Sequence, residues 1–151
     1  MKKIFLILFT IVITISCSKS NNDNNYPNIP VVNINFDLNL NLPSANDLRV
    51  PNGTYIDYNH GYNGIAIVNN VRYYSAWELT CPDHNAATPC SKLVQKKKND
   101  IYVYCQCKDK HNGQEAQFSL ITGQSMTPGL KYVQLKPYPV YESNGVLRIR
   151  Y

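Results

Sequence analysis

An all-β domain is what this sequence predicts, and three observations carry the prediction. Residues 32–42 alternate without a break, with Val32, Ile34, Phe36, Leu38, Leu40 and Leu42 on one side and Asn33, Asn35, Asp37, Asn39 and Asn41 on the other. A period of two marks a half-buried strand, here expected near a sheet edge. Elsewhere short apolar runs are cut by Gly, Pro and Asn turn signals, and no segment holds a helical period. Twelve tyrosines and nine prolines suit strands and turns better than helices. The architecture expected is a set of small sheets or a partly open barrel.

Before the first strand the chain has a different character. Lys2 and Lys3 precede an apolar stretch, Ile4 to Ile15, that is too short to span a bilayer, and Ser16-Cys17 follows. This is the layout of a bacterial secretory signal of the lipoprotein type, although Thr14 stands where a leucine-like residue is usual. Residues 1–16 are therefore expected to be removed. The Cys17 thiol would take up diacylglycerol and its freed amine a further acyl chain, giving an anchor that needs no spanning helix. Ser18 lacks the acidic character that retains such proteins in the inner membrane, so the outer membrane is the expected location. Residues 17–31 are polar and Asn-rich and read as a disordered tether, leaving a single domain over 32–151.

Within that domain three hairpins are expected. Gly64 to Val68 and Val71 to Leu79 flank Asn69-Asn70. Leu93-Val94 and Ile101 to Tyr104 flank the run Lys96-Lys97-Lys98-Asn99-Asp100. Tyr138 to Tyr141 and Val146 to Ile149 flank Ser143-Asn144-Gly145. The formal charge is +5, two of it from Lys2 and Lys3, and the one basic run reads as a solvated turn, so nucleic acid is excluded as a partner.

The cysteines carry the chemistry. Setting Cys17 aside leaves Cys81, Cys90, Cys105 and Cys107, an even number in a compartment that favours disulfides. They fall in two loops, CPDHNAATPC at 81–90 and CQCKDKHNG at 105–113, on either side of the lysine hairpin. Two loops leaving one end of a hairpin can share a site. Cys81-x-x-His84 and Cys107-x-x-x-His111 are also zinc-compatible spacings, which makes Cys81, His84, Cys107 and His111 one candidate ligand set.

Around these loops several features recur in a familiar order. AWELT at 76–80 runs into Cys81-Pro82, and the second loop opens on Cys105-x-Cys107. Gly113, QFSL at 117–120, TGQSMTPGL at 122–130 and a terminal YPVYESNGVLRI at 138–149 follow. In this order residues 53–150 resemble the Rieske-type iron–sulfur domain, in which two loops of a small β-subdomain, here about 81–118, clasp a [2Fe-2S] cluster with one Cys and one His each. The resemblance implies Cys81 and Cys105 as the ligand cysteines and Cys90 and Cys107 as a bridging pair. The family's histidines are displaced: Asp83 occupies the C-x-H position, with His84 one further on, and Lys108 occupies the C-x-x-H position, with His111 three beyond. A protonated lysine has no lone pair to offer iron.

The expectation that follows is a domain without a cofactor, in which Cys81–Cys105 and Cys90–Cys107 are both disulfides that staple the loops. The alternative is a [2Fe-2S] centre held by Cys81, His84, Cys105 and His111. Trp77 is expected in the core and His60 on a surface loop. Asp83-His84 has no nucleophile in a triad arrangement beside it, and no second domain offers a mononuclear iron site of the oxygenase kind. The chain thus reads as a non-enzymatic envelope lipoprotein, a binding or accessory module whose partners are the membrane, through its lipid, and an envelope protein.

Overall fold

The computed structural model describes residues 25–151. The expected signal segment, Cys17 and tether residues 18–24 lie outside the described residues. The described part is built of β1 (Asn35–Asn39), β2 (Thr54–Asp57), β3 (Ile65–Asn69), β4 (Tyr74–Glu78), β5 (Tyr102–Cys105), β6 (Ala116–Ser119), β7 (Pro137–Tyr138), β8 (Val140–Ser143) and β9 (Val146–Arg150). Three short 3-10 helices, Pro43–Arg49, Pro89–Ser91 and Lys108–Lys110, interrupt them. The strands form three antiparallel sheets in the orders β1-β9-β8, β2-β3-β4-β7 and β5-β6, with no closed barrel.

The four-stranded sheet lies between the other two, and the sequence of β3 shows why. All five of its residues, Ile-Ala-Ile-Val-Asn, are buried, the pattern of a strand covered on both faces. Ile65 and Ile67 join Leu38, Ala45, Leu48, Ala76, Leu147 and Ile149 in one core beneath the β1-β9-β8 sheet. Ala66 and Val68 point the other way, into a second core with Trp77, Leu79, Leu93, Val103, Phe118, Leu120 and the sulfurs of Cys81, Cys105 and Cys107. The cysteine loops therefore do have an apolar floor. Trp77 closes it, buried as expected and donating its indole N–H to the Leu120 carbonyl at 2.7 Å.

Several sequence expectations hold in detail. β1 is an edge strand that alternates as read, Ile34 and Leu38 buried and Asn33, Asn35, Asp37 and Asn39 exposed. The terminal hairpin pairs β8 with β9 from Val140↔Ile149 to Ser143↔Val146. Asn144 and Gly145 supply its turn at φ 53° and 72°, the positive pair that a two-residue connection requires.

Others are corrected. The alternation stops short of Leu42, which is exposed, because the chain turns after Asn39 and enters the Pro43–Arg49 helix that buries Ala45 and Leu48. In the β3–β4 hairpin Asn69 stays in the strand, so the loop is 70–73 and the positive φ falls on Val71, at 72°. Asn69 draws the backbone there by accepting the Val71 N–H at 2.7 Å. The lysine hairpin shrinks to a single bridge, Val94↔Tyr104, on one edge of β5, while on its other edge β5 pairs along its length with β6 from Tyr102↔Ser119 to Cys105↔Ala116. Its lysines are exposed and two of them are tied, Lys96 to Glu115 at 2.6 Å and Lys98 to Asp47 at 2.9 Å. Residues 26–29 are no free tether either: Ile29 is buried, the Tyr26 hydroxyl donates to the Leu135 carbonyl, and Asn28 Nδ2 donates to the carbonyl of Pro82.

Candidate metal centre

The first loop leaves the central sheet after β4. The Cys81 N–H donates to the Ser91 carbonyl at 2.9 Å and the Leu93 N–H to the Leu79 carbonyl at 2.8 Å, so both ends of the loop are fixed to one stem. The second loop begins at Cys105, the last residue of β5, whose sulfur is set by pairing opposite Ala116. It then winds through Lys108–Lys110, with the His111 N–H on the Lys108 carbonyl at 3.1 Å. Asn112 and Gly113, at φ 55° and 84°, reverse the chain toward β6.

A disulfide between Cys90 and Cys107 clasps the two loops, as the resemblance implied. The second bridge expected, Cys81–Cys105, is not formed: both are free, buried thiols. Two imidazoles have come in beside them. Cys81 Sγ lies 3.6 Å from His111 Nε2, which lies 3.3 Å from Cys105 Sγ, and His84 Nε2 lies 3.1 Å from Cys105 Sγ. One donor atom from each of Cys81, His84, Cys105 and His111 falls within 4.8 Å of all the others. The displaced histidines thus converge with the cysteines. The zinc set containing Cys107 is ruled out as drawn, since that sulfur is consumed in the disulfide, and Cys105 takes its place.

Electrostatics favour one negative charge on this pair. The Cys81 thiol beside it, and then the His84 and His111 imidazoles and a backbone N–H at Cys107, hold the Cys105 thiol down to about 5, against the opposing effect of burial. Cys81 moves the other way, kept protonated by Cys105 and by desolvation. A thiolate with an adjacent thiol and imidazoles is a prepared ligand set for a soft cation.

Asp83, standing where the Rieske pattern has histidine, is not idle. Its Oδ1 accepts the backbone N–H groups of Lys131 and Tyr132 at 2.7 and 2.9 Å, pinning a third loop to the first. Its Oδ2 faces His111 Nδ1 at 3.6 Å; that nitrogen is buried and makes no hydrogen bond. Lys108, at the other displaced position, points outward to Glu115 at 3.9 Å. His60 is on the surface as expected, paired with Asp57 and stacked on Phe36. The role of Asp83 and the packing of residues 26–29 were not foreseen from the sequence. The only available signal for Asp83 was a carboxylate between two ligand-type residues.

Two thiols and two imidazoles, one of each from either loop, are the donors a Rieske-type centre takes. Their spacing does not suit it. A two-iron cluster puts thiolates on one iron and imidazoles on the other, so every sulfur–nitrogen pair spans both metals, roughly 5 Å or more. Three such pairs here lie at 3.1–3.6 Å. No protein-family model and no curated protein sequence matches the chain. No helix among the described residues is long and apolar enough to cross a membrane.

Proposed function

We propose that this chain is a lipid-anchored envelope protein of Rieske-like architecture whose two cysteine loops hold a metal centre, serving as a non-enzymatic binding or accessory module of a membrane assembly. The observation that carries the reading is the convergence of Cys81, His84, Cys105 and His111 next to the Cys90–Cys107 disulfide. Disulfides alone would have staples but no reason to gather two imidazoles against two unbridged thiols. Three of the four side chains are buried, and His84 lies at the partly exposed edge, so the centre is close to the surface at one point only.

The anchor would give this centre a place. Because residues 26–29 are packed against the first loop, chain from a lipidated Cys17 to Tyr26 spans no more than about 30 Å. The metal end of the domain would stay near the membrane face to which the lipid attaches.

A second reading, an electron carrier with a [2Fe-2S] centre, draws on the donor identities, one cysteine and one histidine from each loop. Metal and sulfide analysis of protein purified from its native envelope tests both. A retained transition metal that disappears in Cys105→Ser supports a metal centre, and two irons with acid-labile sulfide would favour the carrier. Protein that binds no transition metal, native or added, would defeat both readings.

A further inference from the structure

We propose that the centre takes a single tetrahedral divalent ion of the zinc class, bound by Cys81 and Cys105 thiolates and by Nε2 of His84 and His111, with Asp83 as the group that orients His111. The inference rests on the metal-centre reading above and deepens it by fixing nuclearity and coordination. With metal–sulfur bonds of about 2.3 Å and metal–nitrogen bonds of about 2.0–2.1 Å, tetrahedral geometry sets each sulfur–nitrogen pair at about 3.6 Å. The three measured pairs, 3.6, 3.3 and 3.1 Å, lie at or slightly inside that value. One ion seated among the four atoms would draw them to it with small side-chain adjustments. A pair of irons would have to push them apart.

Charge and hydrogen bonding agree with this. A divalent cation with two thiolates is neutral, the combination that a site with Cys81, Cys105 and His111 buried can tolerate. Binding requires both sulfurs as thiolates, so the proton that the pair still carries is released to solvent. A histidine that gives Nε2 to a metal keeps its proton on Nδ1 and normally donates it to a carboxylate or carbonyl. His111 Nδ1 is the buried nitrogen left without a hydrogen bond, and Asp83 Oδ2 is the oxygen it faces. A shift of about half an ångström closes that contact into a hydrogen bond. Asp83 is itself fixed by Lys131 and Tyr132, so the first loop, the second and the segment at 131–132 meet at one ion. All four positions of the ion are filled by the protein, which makes the site a closed, structural or affinity site and leaves no place for a reacting water.

The test is titration of the metal-depleted full chain, Cys90–Cys107 intact, with Co(II) alone, followed by displacement with Zn(II). Expected are the strong visible bands of thiolate-ligated tetrahedral cobalt, saturating at one ion per chain and lost stoichiometrically to zinc. Asp83→Asn, which keeps the oxygen that accepts from Lys131 and Tyr132, should bind zinc 10- to 100-fold more weakly while the tetrahedral bands persist. Two ions per chain, weak octahedral bands, or assembly of a two-iron sulfide centre would overturn the proposal while leaving a metal centre in place. Failure to bind any metal would remove the metal-centre reading as well. Unchanged zinc affinity in Asp83→Asn would overturn the assignment of Asp83.

Discussion

Removing the disulfide with Cys90→Ala/Cys107→Ala should destabilise the metal-depleted domain by about 3 kcal/mol. The two cysteines are 17 residues apart, and closing a loop of that length removes about 10 cal/mol/K from the unfolded chain, or about 3 kcal/mol at 25 °C. Loss of the buried Cys107 sulfur from the second core adds up to about 1 kcal/mol. The unfolding entropy of the 127 residues described is about 0.27 kcal/mol/K, so the midpoint should fall by about 10 °C. Thermal unfolding followed by circular dichroism, in chelator and without reductant, reads this directly. The double variant matters, because a single change would leave a lone thiol able to attack its neighbours. A shift under about 3 °C would refute the claim that this bridge holds the loops, and would mean that the apolar floor alone organises them.

Three further outcomes follow from particular contacts. Gly123→Ala would place a methyl carbon 2.5 Å from the Trp77 ring at a φ of 73°; strain and overpacking together should cost about 2–4 kcal/mol, read by urea denaturation. Glu78 is fully buried and its carboxylate accepts from the N–H groups of Tyr62 and Asn63 and the hydroxyls of Thr80 and Tyr138. Glu78→Gln sets an amide donor against these donors and should cost about 2–3 kcal/mol in the same assay. Hydrogen bonds from Lys98 and then Asn99 hold Asp47 below its ordinary carboxylate value. Its contribution to stability is thus present above the ordinary value and lost as pH falls through the lowered one. NMR titration should show the Asp47 carboxylate moving up toward its ordinary value in Lys98→Ala.

The parts of the fold legible in the sequence were those governed by local rules. Alternation in β1 and the Asn144-Gly145 turn depend on neighbours in the chain, so they were read correctly. The lysine hairpin is not legible in a local pattern because its first arm is drawn to the end of β4, through Thr80↔Lys92 and the Leu93 N–H on the Leu79 carbonyl, and β5 finds its continuous partner in β6. Asn69-Asn70 looked like the turn itself, whereas the Asn69 side chain stays in the sheet and bends the residue after next. At the site, the alternative set Cys81, His84, Cys105 and His111 is the one that the structure brings together, whereas the favoured expectation bridged the two thiols and gave Asp83 no part. The pattern C-x-H says nothing about a loop that carries His84 back toward Cys105. Nor does it show that Asp83 accepts the backbone N–H groups of Lys131 and Tyr132.

Cys81, His84, Cys105 and His111 are proposed to share one ion. X-ray absorption at the zinc edge of loaded protein measures this most directly. Two sulfur neighbours at about 2.3 Å and two nitrogen neighbours at about 2.0 Å are expected, with no metal neighbour. A metal–metal distance in the spectrum, or a first shell of oxygen in place of sulfur, would contradict it.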